Sequence, residues 1–268
     1  MPTAVAIRFP LGRFHATPWD RAVNEGEVEW PPSPWRLLRA LVATWHTRWP
    51  ELPAERVDTL LAKLAAGPPA YRTPEVSRGH TRHYMPDLAH TSGAPSTDLV
   101  LDPFLWIDPN TQMIVRWEVE LTVEERADLG KLCELVPYLG RSESVAQLEL
   151  LDSCPEPGDG WWRAAAPHRP VVLLLQPSAE ITRRELEITS VEVRRSRLPL
   201  PPNTSLQPFS RAAATVTIEE PAREAKLEAI RWRLDTPAPF REQEGILATE
   251  WLRTSRLRAA ERALGFLP

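Results

Sequence analysis

The sequence predicts an α+β fold built on an antiparallel sheet, and three observations carry that expectation. Short β-branched runs alternate with amphipathic helical patterns along the first 153 residues. The 29 prolines in 268 residues are dispersed at element ends rather than gathered in one tract, so the elements are short and rigidly joined. Hydrophobic residues at 43% and charged residues at 25% are ordinary for a globular chain, and the length suffices for a real core.

Taken in order, "TAVAIRF" (3–9) reads as a buried opening strand closed by Pro10. After a loop through residue 32, Ser33 is a good N-cap and Pro34 sits where a missing N–H costs nothing. Trp35, Leu38, Val42, Trp45 and Trp49 then recur at helical spacing on one face, with Arg36, Arg39 and His46 on another. "PAERVDTLLAKLAAG" is a second helix, ending on Gly67. The stretch from 69 to 100 is extended, cationic and aromatic with a polar tip; it reads as a long protruding hairpin or loop. "LDPFLWID" and "MIVRWEVEL" read as paired strands joined at "PNTQ". "TVEERADLGKLCELV" is a helix with a capping box, Thr122 with Glu125, and "VAQLELLD" returns as a strand. Strand, helix, strand–turn–strand, helix, strand is the order of a ferredoxin-like (RRM-type) domain, here with inserted pieces.

After residue 153 the texture changes, and a smaller β-rich part is expected over 154–268. "CPEPGDGWWRAAAPHRP" reads as a linker or loop. "VVLLLQP", "ELEITSVEVR", "ATVTIEE" and "AIRWRLD" are candidate strands, and residues 198–214 an irregular proline-rich stretch. The segment 240–265 is an amphipathic helix, and Gly265–Pro268 reads as a domain boundary.

Composition excludes several functions. A net charge of −4 argues against a bulk nucleic-acid binder, although not against a local basic groove. Two cysteines give neither a disulfide framework nor a metal-type spacing. With no signal peptide and no apolar run of about 18 residues, a cytoplasmic location off the membrane is expected. Dinucleotide, Walker A, zinc-protease and serine-hydrolase motifs are absent, so no cofactor and no metal are expected.

The densest chemistry is "RGHTRHYMP" (78–86). Arg78, His80, Arg82, His83 and Tyr84 offer charge-assisted donors, imidazoles and a stacking ring. The same set could cleave RNA, with His80 or His83 as general base, or could simply be a solvated basic loop. A metal on His80, His83 and His90 lacks a completing ligand at sensible spacing. For the arginine face of the first helix the plain alternative is a solvated face with its tryptophans in the core. Between Glu192 and Glu219 no acid occurs, while Arg194, Arg195, Arg197 and Arg211 do; with Asn203 among them, the stretch suits a single-stranded backbone.

"RFPLGRFHATPW", "NEGEVEWPPSPWRLLRALVATWH", "RGHTRHYMP" and "LPLPPNTSLQPFSR" resemble the type I-G (formerly I-U) CRISPR-associated protein that fuses a Cas-five-like half to a Cas-six-like half. "YLGRSES" (138–144) resembles the Leu-Gly-Arg motif of the wider Cas-five group. The likeness runs from residue 3 to about 265 and covers the Cas-five-like half. It implies RAMP-type ferredoxin-like folding, cytoplasmic location and a place in a Cascade-type antiviral complex. It implies binding of the CRISPR RNA 5′ handle, contact with backbone and large subunits, and target DNA met only indirectly. A thumb hairpin is implied at about 76–100. Arg13, His15, Trp19, Arg36, Arg39, Arg141 and Ser142 join the residues named above as RNA-binding candidates. Cleavage is implied for the absent processing half, with a metal-independent repeat-specific endoribonuclease as the alternative.

Overall fold

A computed structural model describes residues 1–19, 21, 26–86, 97–165 and 172–211. The chain divides into two units, Met1–Val216 and Thr217–Pro268, and the described residues all lie in the first.

The first strand, β1 (Thr3–Arg8), is five-sixths buried, as its β-branched and alanine content requires. A two-residue strand β2 (Arg13–Phe14) precedes helix α1 (Pro34–Arg48). Ser33 caps α1 by accepting from the Arg36 N–H, and Trp35, Leu38, Val42 and Trp45 are buried along one stripe. Each such side chain contributes roughly 1.5–3 kcal/mol on removal from water. Helix α2 (Ala54–Ala65) leads into β3 (Ala70–Arg72) and then into β4 (Val76–Pro86) and β5 (Thr97–Ile107). After β6 (Met113–Trp117) comes α3 (Val123–Leu135), which carries the expected capping box between Thr122 and Glu125, and then β7 (Gln147–Leu150).

Four of these strands lie side by side as β7-β1-β6-β3, with every described pairing antiparallel. Read as first to fourth strand of a strand–helix–strand–strand–helix–strand unit, that is the order four-one-three-two of a ferredoxin-like fold. The sheet then continues through β8 (Trp162–Ala164), β10 (Thr204–Arg211) and β9 (Val172–Pro177), so strands on both sides of residue 153 share one sheet. A second sheet, β2-β5-β4, holds the hairpin.

Four expectations need correction. The stretch 154–170, expected as a linker or loop, contributes β8 to the large sheet. The segments 101–108 and 113–121 are not partners. β5 pairs with β4 along its whole length and with β2 on its other edge, while β6 lies between β1 and β3. The cause is burial: all five residues of β6 are buried, which suits a strand inside the large sheet. The expected strand "ELEITSVEVR" is helical, as α4 (Arg183–Glu187) and α5 (Ser190–Arg195). Thr182 with Glu185, and Thr189 with Glu192, supply the reciprocal side-chain bonds that start these two short helices. The stretch 198–214, expected to be irregular, contains β10, paired residue by residue with β9 from Thr204 to Phe209. The candidate strands 214–220 and 229–235 and the terminal helix lie outside the described residues.

Candidate nucleic-acid interface

In the hairpin, Arg78 stands opposite Leu105, His80 opposite Pro103, Arg82 opposite Leu101 and Tyr84 opposite Leu99. Side chains alternate between faces along a strand, so Arg78, His80, Arg82 and Tyr84 form one row and His83 belongs to the other face. At the base of the row's face, Phe14, Leu105 and Ile107 are buried in the core. Further out the row meets solvent: Tyr84 is 64% exposed, and His80 and Arg82 are exposed too. Arg78 pairs with Glu27 at 3.2 Å. Among the described residues His80, Arg82 and Tyr84 have no hydrogen-bond or ionic partner, so their donors and ring are available to a ligand. His83, on the reverse face, lies 3.1 Å from the Thr81 hydroxyl and 3.9 Å from Asp102. The two histidines therefore cannot converge on one reacting atom.

The reverse face is organised around Asp102. Its carboxylate accepts from Arg13 and from Arg141, each at 2.9 Å, and lies 3.2 Å from Nδ1 of His15. The same nitrogen is 3.1 Å from Glu143. Arg13 stacks over Phe104 at 4.3 Å, and Gly79 makes room for that ring, since a Cβ there would meet it at 2.7 Å. His15 is wholly buried. Burial lowers its pKa, with the Arg141 charge acting the same way and Asp102 and Glu143 opposing. Backbone ties fix the loop "YLGRSES" against it. The Arg141 N–H donates to the His15 carbonyl at 2.9 Å, and the His15 N–H donates to Ser144 Oγ at 2.8 Å. Gly140 has φ +94°, and a Cβ there would stand 2.5 Å from the His15 carbonyl oxygen. Asp102, Glu143 and His15 could jointly approach a cation, their ligand atoms lying within 4.8 Å. Two guanidinium groups already supply that positive charge, so the donor set does not fit a metal.

Arg36 and Arg39 of α1 are engaged within the chain. Arg36 bonds Glu29 at 2.7 Å and the Thr17 carbonyl at 2.9 Å. Arg39 donates to the carbonyls of Leu186 and Ile188, each at 2.6 Å, closing the open end of α4. Trp19 donates its indole N–H to the Pro199 carbonyl at 3.1 Å. Arg195, Arg197 and Ser142 are exposed. Asn203 donates to Glu185 at 2.8 Å, and Arg211 to the Gly160 carbonyl at 2.8 Å. Arg194 lies in α5, and its side chain is outside the described set, as is His90. Sequence reasoning missed Asp102, Glu143, Glu29 and Glu27, the four acids that hold these cations; the two arginines on Asp102 stand 89 and 39 residues away from it.

No protein-family model matches this chain, and no curated protein matches it. Among solved structures, a CRISPR protein from Archaeoglobus fulgidus is similar over 81% of this chain and 87% of that one. The identity is 11% and the TM-score 0.36.

Proposed function

We propose that the chain is an RNA-binding subunit of a CRISPR ribonucleoprotein of the Cascade type. It grips the 5′ handle of CRISPR RNA and sets its hairpin against a neighbouring backbone subunit. The observation that carries this reading is the exposed row Arg78, His80, Arg82 and Tyr84 on one face of an eleven-residue strand. Two arginines, an imidazole and an aromatic ring at two-residue steps suit a sugar–phosphate backbone with an unstacked base. The ferredoxin-like strand order and the sequence motifs that resemble those of the Cas-five-like half support it further. In the proposed complex the protein works in the cytoplasm and does not itself cut RNA.

The test is a gel shift of the purified chain with CRISPR repeat RNA in EDTA. A shifted, uncut band is expected, with log affinity falling against log salt by roughly 0.7 per phosphate contact. Arg82→Ala with Tyr84→Ala should weaken binding at least about tenfold, while His80→Ala with His83→Ala leaves the RNA uncut as before. A cut product that disappears in the double-histidine variant would replace the binding subunit with an endoribonuclease.

A further inference from the structure

A groove of about 890 Å³ runs between α1 and the loop at Pro137–Gly140, within the roughly 300–1,000 Å³ of small-ligand sites. Arg36, Arg39 and Arg48 line it, together with the rings of Trp19, Trp35 and Tyr138. None of the described residues lining it is acidic, although the chain as a whole carries four more negative than positive charges. Arg36 is neutralised by Glu29, which stands at 2.7 Å. Arg39 donates to two backbone carbonyls and lies over the Trp35 ring at 5.6 Å, and among the described residues no carboxylate pairs with it or with Arg48. Burial lowers the Arg39 pKa, with the neighbouring Arg36 charge second, so the groove holds positive charge that an anion would relieve. Tyr138, on the facing wall, is 44% exposed.

We propose that this groove binds one nucleotide of single-stranded RNA, its phosphate on one of the two arginines Arg39 and Arg48 and its base against the Tyr138 ring. The proposal rests on the RNA-binding reading above, but the groove is separate from the hairpin row. Phosphate and aromatic face are the two features every nucleotide offers, and the groove presents a partner for each. Gly140 at the groove's edge adjoins Arg141, so a strand leaving the groove would pass directly to the Asp102 cluster.

Saturation-transfer NMR and calorimetry of the full chain with the four nucleoside 5′-monophosphates test this directly. Base-proton saturation is expected, with affinity lost at least about tenfold in Arg48→Ala with Tyr138→Ala and retained in Tyr138→Phe. Both positions are exposed, so the variants should melt like the parent. Equal binding of inorganic phosphate would overturn the stacking half of the proposal, and equal competition by a glutamate-rich peptide would make the groove a protein site. If monophosphates fail to bind while repeat RNA still shifts through Arg82 and Tyr84, the groove proposal falls and the RNA-binding reading stands. If neither binds, both fall.

Discussion

Replacing Asp102 with Asn keeps the side chain's shape and removes one charge from the centre of the hairpin's reverse face. In the folded protein that carboxylate accepts from Arg13 and Arg141 at 2.9 Å each and is itself 16% exposed. Hydrogen bonds to charged groups contribute roughly 1.5–3 kcal/mol. The two guanidinium side chains are 28% and 41% exposed, which pulls each pair toward the ~1 kcal/mol of surface ion pairs. Together the two lost pairs amount to about 2 kcal/mol. At roughly 2–4 °C per kcal/mol for a unit of this size, Asp102→Asn should lower Tm by about 4–8 °C. The same change frees two cations beside the hairpin. RNA affinity at low salt should therefore rise, with a steeper salt dependence, as the fold weakens. Thermal melting by circular dichroism and a salt series of gel shifts read the two effects. A Tm within 1 °C of the parent, with unchanged affinity, would refute the role given to Asp102.

Two further substitutions probe the same region. His15 has a depressed pKa, so the unfolded chain takes up its proton first; its stabilising contribution is complete above about pH 6.5 and is lost as the pH falls below that value. Tm should decline as the pH falls below about 6.5, and His15→Asn should flatten that slope; an unchanged slope would place the titrating group elsewhere. Glu125, Glu185 and Glu192, also depressed, act in a separate window below their ordinary 4.5. Gly140→Ala forces a Cβ against the His15 carbonyl at a positive φ, and should cost at least about 2 kcal/mol in chemical denaturation. A variant as stable as the parent would mean that the loop shifts freely.

Local chemistry was the legible part of the sequence. Ser33 with Pro34, and Thr122 with Glu125, announced α1 and α3 because caps are set within four residues. The same Thr-x-x-Glu signal stood at 182–185 and 189–192, and was masked by the β-branched residues Ile188, Thr189, Val191 and Val193. Cations were found as candidates, since Arg and His stand out in a motif. Their acidic partners were not, because Asp102 meets Arg13 across 89 residues and Arg141 across 39. Nor could spacing alone place His80 and His83 on opposite faces without the strand assignment that puts alternate residues apart.

The hairpin ladder has a consequence for how such an arm can change over time. Its polar ties to the body described here, Arg78 with Glu27 and Asp102 with Arg13 and Arg141, all involve residues on the body side of His83. Outward of them the ladder joins the two strands to each other, pair by pair. Adding two residues to each strand would lengthen the reach by roughly 6–7 Å and return every side chain to its own face. Adding one to each would send the arginines where Asp102 now looks. Length in this arm is free to vary only in even steps, so related arms that differ in reach should share the same parity.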